Sequence, residues 1–82
     1  MENRFEEKTN YIKIKLDEIE KAFKCTKNHN EFGFKWYETT FNFNIIAEIE
    51  IIGIRRNLFY FHPDDNVKSI DKKLKQICNI IL

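Results

Sequence analysis

The chain has little glycine, proline, cysteine or net charge, and each shortage excludes something. Gly33 and Gly53 are its two glycines and Pro63 its one proline. Neither a glycine-rich phosphate loop nor a Gly-x-Ser-x-Gly nucleophile turn can be built from them. A flexible Gly/Pro/Ser linker is also absent, so residues 1–82 are read as a single domain. The two cysteines, Cys25 and Cys78, are too few for a disulfide framework. They are expected as buried, reduced thiols near the ends of two helices. Lysine plus arginine number 14 against 13 acids, a net charge of +1, which argues against a broad surface that tracks phosphates. No stretch approaches the roughly 20 apolar residues of a spanning helix. The first 25 residues hold no apolar core of a secretory leader. By elimination the expected compartment is the cytoplasm.

What is present suits a small packed domain. Apolar residues make up 43% and aromatic residues 15%, enough to fill a core because each ring removes a large area from water. Lysine, asparagine and isoleucine are frequent, as in the coding of an AT-rich genome such as that of a low-GC bacterium or its phage.

Periodicity orders the elements. Phe5, Ile12, Leu16, Ile19 and Phe23 fall on one helical stripe, with Ile14 pointing away from it. The alternation over 11–16 also fits a short strand, but the stripe runs on unbroken to Phe23, which favours the helix. After the polar turn 26–30 the period becomes two. Phe32, Phe34 and Trp36 alternate with Gly33, Lys35 and Tyr37 as strand one. Phe41, Phe43, Ile45, Ala47, Ile49 and Ile51 then share the dry face of strand two, opposite Ile46, Glu48 and Glu50. Gly53 interrupts the alternation and reads as a bulge. Arg55-Arg56-Asn57 reads as a turn and Leu58–His62 as strand three, ended by Pro63. Asp64, Asp65 and Asn66 are good caps for a second helix whose stripe is Val67, Ile70, Leu74, Ile77, Cys78 and Ile81. Its lysines 68, 72, 73 and 75 fall on the wet side. The expected fold is α+β: a helix, a three-stranded antiparallel sheet and a helix, with both helices on one face of the sheet.

Several constellations could carry chemistry. Cys25, His29, His62 and Cys78 supply four metal-binding groups but only one closely spaced pair, against the tight pairs of structural zinc sites. No metal and no cofactor is expected. His62-Pro63-Asp64-Asp65 sets an imidazole beside two carboxylates, yet those acids stand where a helix needs its cap. So short a chain also has little material for a substrate cleft, so no enzyme and no small-molecule substrate are expected. The helix–three strands–helix order is shared by double-stranded RNA-binding domains. Their Gly-containing loop and lysine-rich start to the last helix are missing, and Asp64-Asp65-Asn66 would repel phosphate at that point.

Strand three is apolar on both faces, so two large side chains must face outward. Leu58 and Tyr60 are expected inside, since His62 shares their parity and can reach solvent at the strand end. Phe59 and Phe61 are then expected outside, joined by Ile46 and Tyr37, with Arg55 and Arg56 beside them. Contiguous exposed apolar area of this kind marks an interface. The expected function is a small non-catalytic protein-interaction module of inhibitor, immunity or adaptor type. It would bind a protein partner, or a second copy of itself, through an open sheet face or a strand edge. The alternative is an RNA- or DNA-binding domain using Arg55, Arg56 and the sheet aromatics.

Overall fold

The computed structural model describes residues 3–39 and 44–82, with side chains from residue 6 onward. Phe41, Phe43 and the side chain of Phe5, placed above on apolar stripes, lie outside the described residues. Helix α1 spans Asn3–Lys24. Ile12, Leu16, Ile19 and Phe23 are buried along it and Ile14 is exposed, as the spacing requires. A short 3-10 helix, Lys27–Asn30, follows, with Thr26 Oγ1 accepting from the Asn28 N–H at 3.2 Å. Strands β1 (Phe32–Glu38), β2 (Ile45–Ile51) and β3 (Arg55–Phe61) form an antiparallel sheet in that order, with β2 central. Helix α2, Val67–Ile81, opens on Asn66, whose side chain accepts from the Ser69 N–H at 2.8 Å, satisfying one of the unpaired donors of the first turn. The fold is therefore α+β, in the order helix, three strands, helix.

One face of the sheet is dry. Ile45, Ala47 and Ile49 of β2 and Phe61 of β3 meet Ile12, Leu16, Ile19 and Phe23 of α1 and Ile70, Leu74, Ile77 and Ile81 of α2 in a single cluster. Phe32, Phe34, Trp36 and Phe59 pack against its margin, half-buried. The edge of the Phe34 ring meets Phe23, centroids 6.2 Å apart. Polar ties fix the helices around this core. Tyr11 Oη donates to Asp71 Oδ1 at 2.5 Å, joining α1 to α2. Asn28 Nδ2 donates to the Ile81 carbonyl at 3.0 Å, occupying one of the acceptors that a helix C-terminus leaves open.

Five expectations are corrected. Gly53 is not a bulge. It lies in the turn Ile51–Ile54, closed by the Ile54 N–H on the Ile51 carbonyl at 2.8 Å, with a φ of 78°. That left-handed value is one a glycine enters without penalty. Arg55 and Arg56 are not in the turn but open β3, with Arg55 opposite Ile51. Without a bulge the pairing keeps odd residues opposite odd ones: Ala47 with Phe59 and Ile45 with Phe61. An inserted residue would have moved β3 to the other parity. The expectation about strand three, drawn from the parity of His62, is overturned by this register. Phe61 is fully buried and Phe59 lies against the core, so neither faces outward; Leu58 and Tyr60 do. Finally, Cys25 is exposed and Cys78 only half-buried; both are free thiols, and burial raises the Cys78 thiol above its ordinary value. Val67 also departs from its stripe and is exposed at the first turn of α2.

Candidate interaction surface

The outer face of the sheet can be read row by row from the register. At the end where β1 finishes, Tyr37, Ile46 and Tyr60 stand side by side. The next row is Lys35, Glu48 and Leu58, and the next is Gly33, Glu50 and Arg56. Tyr37 is 41% exposed, Leu58 41% and Tyr60 52%, while Ile46 between them is half-buried. Neither α1 nor α2 covers these residues, because both contribute to the core on the opposite face. The apolar surface runs from Tyr37 across Ile46 to Tyr60 and turns the corner to Leu58. A charged end follows.

Glu48 is the unexpected member. The strand alternation places it among residues that meet water, yet it is only 8% exposed. Its neighbours explain the burial. Tyr37 Oη donates to Glu48 Oε2 at 2.8 Å from β1, and Arg56 Nη1 stands 3.5 Å from Oε1 from β3. The central strand's carboxylate is thus held by one group from each edge strand. The hydrogen bond to Glu48 is the main reason that the Tyr37 hydroxyl ionises above its ordinary 10.0, with desolvation and the nearby negative charge adding to it and Arg56 opposing it. The arrangement ties the Tyr37 ring and the Arg56 guanidinium to one carboxylate.

Beside this cluster is a shallow depression of about 250 Å³, lined by Gly33, Phe34, Lys35, Glu48, Glu50 and Arg56. Gly33 has no side chain to fill it; a Cβ there would meet the Glu50 side chain at ordinary contact distance, 3.8 Å. Both signs of charge line the hollow, which suits a polar rim better than a site for one ion. The opposite end of β3 carries a second exposed feature. Ile54, at the hairpin turn beside Gly53, is 78% exposed.

The residues proposed from sequence are therefore divided by the fold. Ile46, Tyr37 and Arg56 come together on the open face, Arg55 lies at its margin on the core parity but exposed, and Phe59 and Phe61 belong to the core. Leu58 and Tyr60 take their place. The signal that could have found them is Gly53: read as the third residue of a tight turn, it fixes the parity of β3. Glu48 had no such signal, because its burial depends on partners three strands wide.

The other constellations are dispersed or occupied locally. Among the described residues no three of His, Cys, Asp and Glu gather as metal ligands. His29 Nδ1 is hydrogen-bonded to the Thr26 carbonyl within its own turn. The segment from His62 to Asp65 is a closed turn: Asp65 N–H donates to the His62 carbonyl, His62 N–H to Asp65 Oδ2, and Asp64 N–H to His62 Nδ1. Lys73, expected on the wet side of α2, instead donates to the Tyr60 carbonyl at 2.5 Å and pairs with Asp65 at 3.3 Å. No helix among the described residues is long and apolar enough to cross a membrane. No protein-family model, curated protein or solved structure matches the chain.

Proposed function

We propose that the chain is a small non-catalytic protein-interaction module that takes a protein partner on its open sheet face. The observation that carries this reading is the contiguous outer row of Tyr37, Ile46 and Tyr60 with Leu58, bordered by the Glu48–Arg56 pair. Aromatic rings and an arginine around an apolar centre are the residue types that dominate binding energy at interfaces. The Tyr37–Glu48–Arg56 contacts favour association in a second way. Side chains already held in place lose less freedom on binding. Nucleic acid is a poorer occupant, because Glu48 and Glu50 stand in the rows that Arg56 and the rings would have to present to phosphate.

The test is capture by the immobilised chain in parallel with an Ile46→Lys, Tyr60→Ser variant of matched far-UV circular dichroism. The expected result is one or more proteins retained by the wild type, insensitive to high salt and lost from the variant. Retention of nucleic acid that declines steeply with salt would overturn the reading. So would identical capture by both baits.

A further inference from the structure

The two edges of the sheet are unequal. At β1, α1 side chains reach the strand: Glu20 Oε1 accepts from Trp36 Nε1 at 3.2 Å, and Lys13 pairs with Glu38 at 2.9 Å. Lys35 also places a charge in the middle of β1, a common guard against edge pairing. At β3, the contact found among the described residues is Lys73 on the Tyr60 carbonyl. The last four residues of β3 are Leu58-Phe59-Tyr60-Phe61, without a charge, a proline or a bulge. An apolar four-residue stretch on a sheet edge is the sort that proteins otherwise blunt, and the charges of β3, Arg55 and Arg56, lie at its other end.

The direction of the free backbone groups follows from the same bond. The Tyr60 carbonyl that Lys73 reaches points away from β2, and His62 two residues on spends both its N–H and its carbonyl on Asp65 rather than on β2. Backbone groups alternate along a strand, so Arg56, Leu58 and Tyr60 present their N–H and carbonyl groups to the open edge. We propose that a second copy of this chain pairs there, β3 against β3, antiparallel about a two-fold axis through Leu58.

This register is the one in which all seven residues of β3 find a partner. Leu58 faces Leu58 of the other copy, Arg56 faces Tyr60, Asn57 faces Phe59, and Arg55 faces Phe61. Each opposition repeats on the far side of the axis, as an isologous interface requires. Charge fits as well. The two Arg56 side chains are set four residues apart along the ladder, about 13 Å, beyond the screening length of about 8 Å at physiological salt. Each stands over a tyrosine ring instead, a favourable place for a guanidinium. Lys73 arrives already paired with Asp65, and a carbonyl can accept a second hydrogen bond, so its contact with Tyr60 does not block the ladder. Pairing joins two three-stranded sheets into one of six and makes the two open faces continuous. It thereby deepens the protein-interaction reading by naming one partner, while using the edge and not the face.

The test places charge on the axis. Leu58 is outside the core, so Leu58→Lys and Leu58→Glu should both fold. Sedimentation of the wild type from about 1 µM to about 1 mM, a span covering weak to firm association, should show a monomer–dimer equilibrium. Each single variant brings like charges directly opposite each other and should weaken it at least about tenfold. An equimolar mixture of the two should restore dimers as the mixed pair. Should either variant fail to fold, Leu58→Cys with Cys25→Ser and Cys78→Ser gives a second measurement: paired α-carbons about 5.5 Å apart lie within disulfide reach, so oxidation should yield a covalent dimer. A wild type that stays monomeric, variants that dimerise like it, or a mixture no tighter than its components would overturn the edge pairing. Leu58 also borders the open face, so capture of another protein there is read with Ile46→Lys alone, which lies on β2 and leaves the β3 edge unaltered. Loss of capture with dimers retained separates the failure of one reading from that of the other.

Discussion

The two faces of the sheet use the same three strands to opposite ends. The inner face is dried by helices: Ile45, Ala47 and Ile49 on β2 are inaccessible because α1 and α2 lie over them. The outer face has no covering layer and still buries a carboxylate, because Tyr37 and Arg56 close over Glu48 from either side. Burial on one face comes from a second layer and on the other from cross-strand neighbours. The difference shows in what each face tolerates. A dry face loses stability with volume, whereas the outer face should lose organisation first.

The sharpest way to break the comparison is a matched pair at the end of β3. Phe61→Ala empties a fully buried position and should cost about 3–5 kcal/mol, enough to unfold much of so small a domain. Tyr60→Ala, one residue away and half-exposed, should cost about 0.5 kcal/mol. Chemical denaturation of both variants measures the difference directly. Equal losses would mean that β3 does not present its faces as described. Leu16→Ala and Leu74→Ala, on the helices that dry the inner face, should each cost about 2–5 kcal/mol in the same assay.

The asymmetry between these faces also accounts for how far the sequence could be read. Helical stripes such as Leu16, Ile19 and Phe23 repeat over several turns, so one misplaced residue does not disturb them, and α1 and α2 were legible in full outline. The odd-numbered face of β2 was legible for the same reason. The orientation of β3 was not, because it depends on a single local event, whether Gly53 adds a residue to the strand or completes a turn. Both readings of the glycine are compatible with the letters Ile51-Ile52-Gly53-Ile54, and they place opposite sets of side chains in the core. Ile46, Tyr37 and Arg56 survived that ambiguity as surface residues; Phe59 and Phe61 did not. The cluster around Glu48 lay beyond any local pattern, since Tyr37, Glu48 and Arg56 come from three strands.

A smaller effect tests the turn itself. A Cβ on Gly53 would meet nothing within 4 Å, so Gly53→Ala changes the backbone preference and no packing. At a φ of 78° that preference costs about 1 kcal/mol. Thermal melting should register the loss without any change in the far-UV spectrum. A neutral substitution would reopen the bulge and, with it, the parity of β3.

The smallest effect concerns the outer face at high pH. Tyr37 ionises above 10.0 chiefly because its hydroxyl donates to the Glu48 carboxylate, a bond that the phenolate cannot make. The folded form therefore favours the protonated ring relative to the unfolded chain. The stabilisation is present in full below pH 10.0 and is lost as pH rises through the raised value in the folded state. Glu48→Gln removes the negative charge and replaces an acceptor-only carboxylate with an amide that can turn its N–H toward the phenolate. The bond then no longer favours the protonated ring, and Tyr37 should move back toward 10.0. Tyr11 provides the internal reference, because its own upward shift comes from Asp71 on the helical side of the molecule and should not respond to Glu48. Ultraviolet titration of the tyrosines in the wild type and in Glu48→Gln, with Tyr37→Phe to assign the signal, measures the change. If Glu48→Gln leaves the Tyr37 titration where it was, the carboxylate is not what holds the ring, and the outer face owes its order to packing alone.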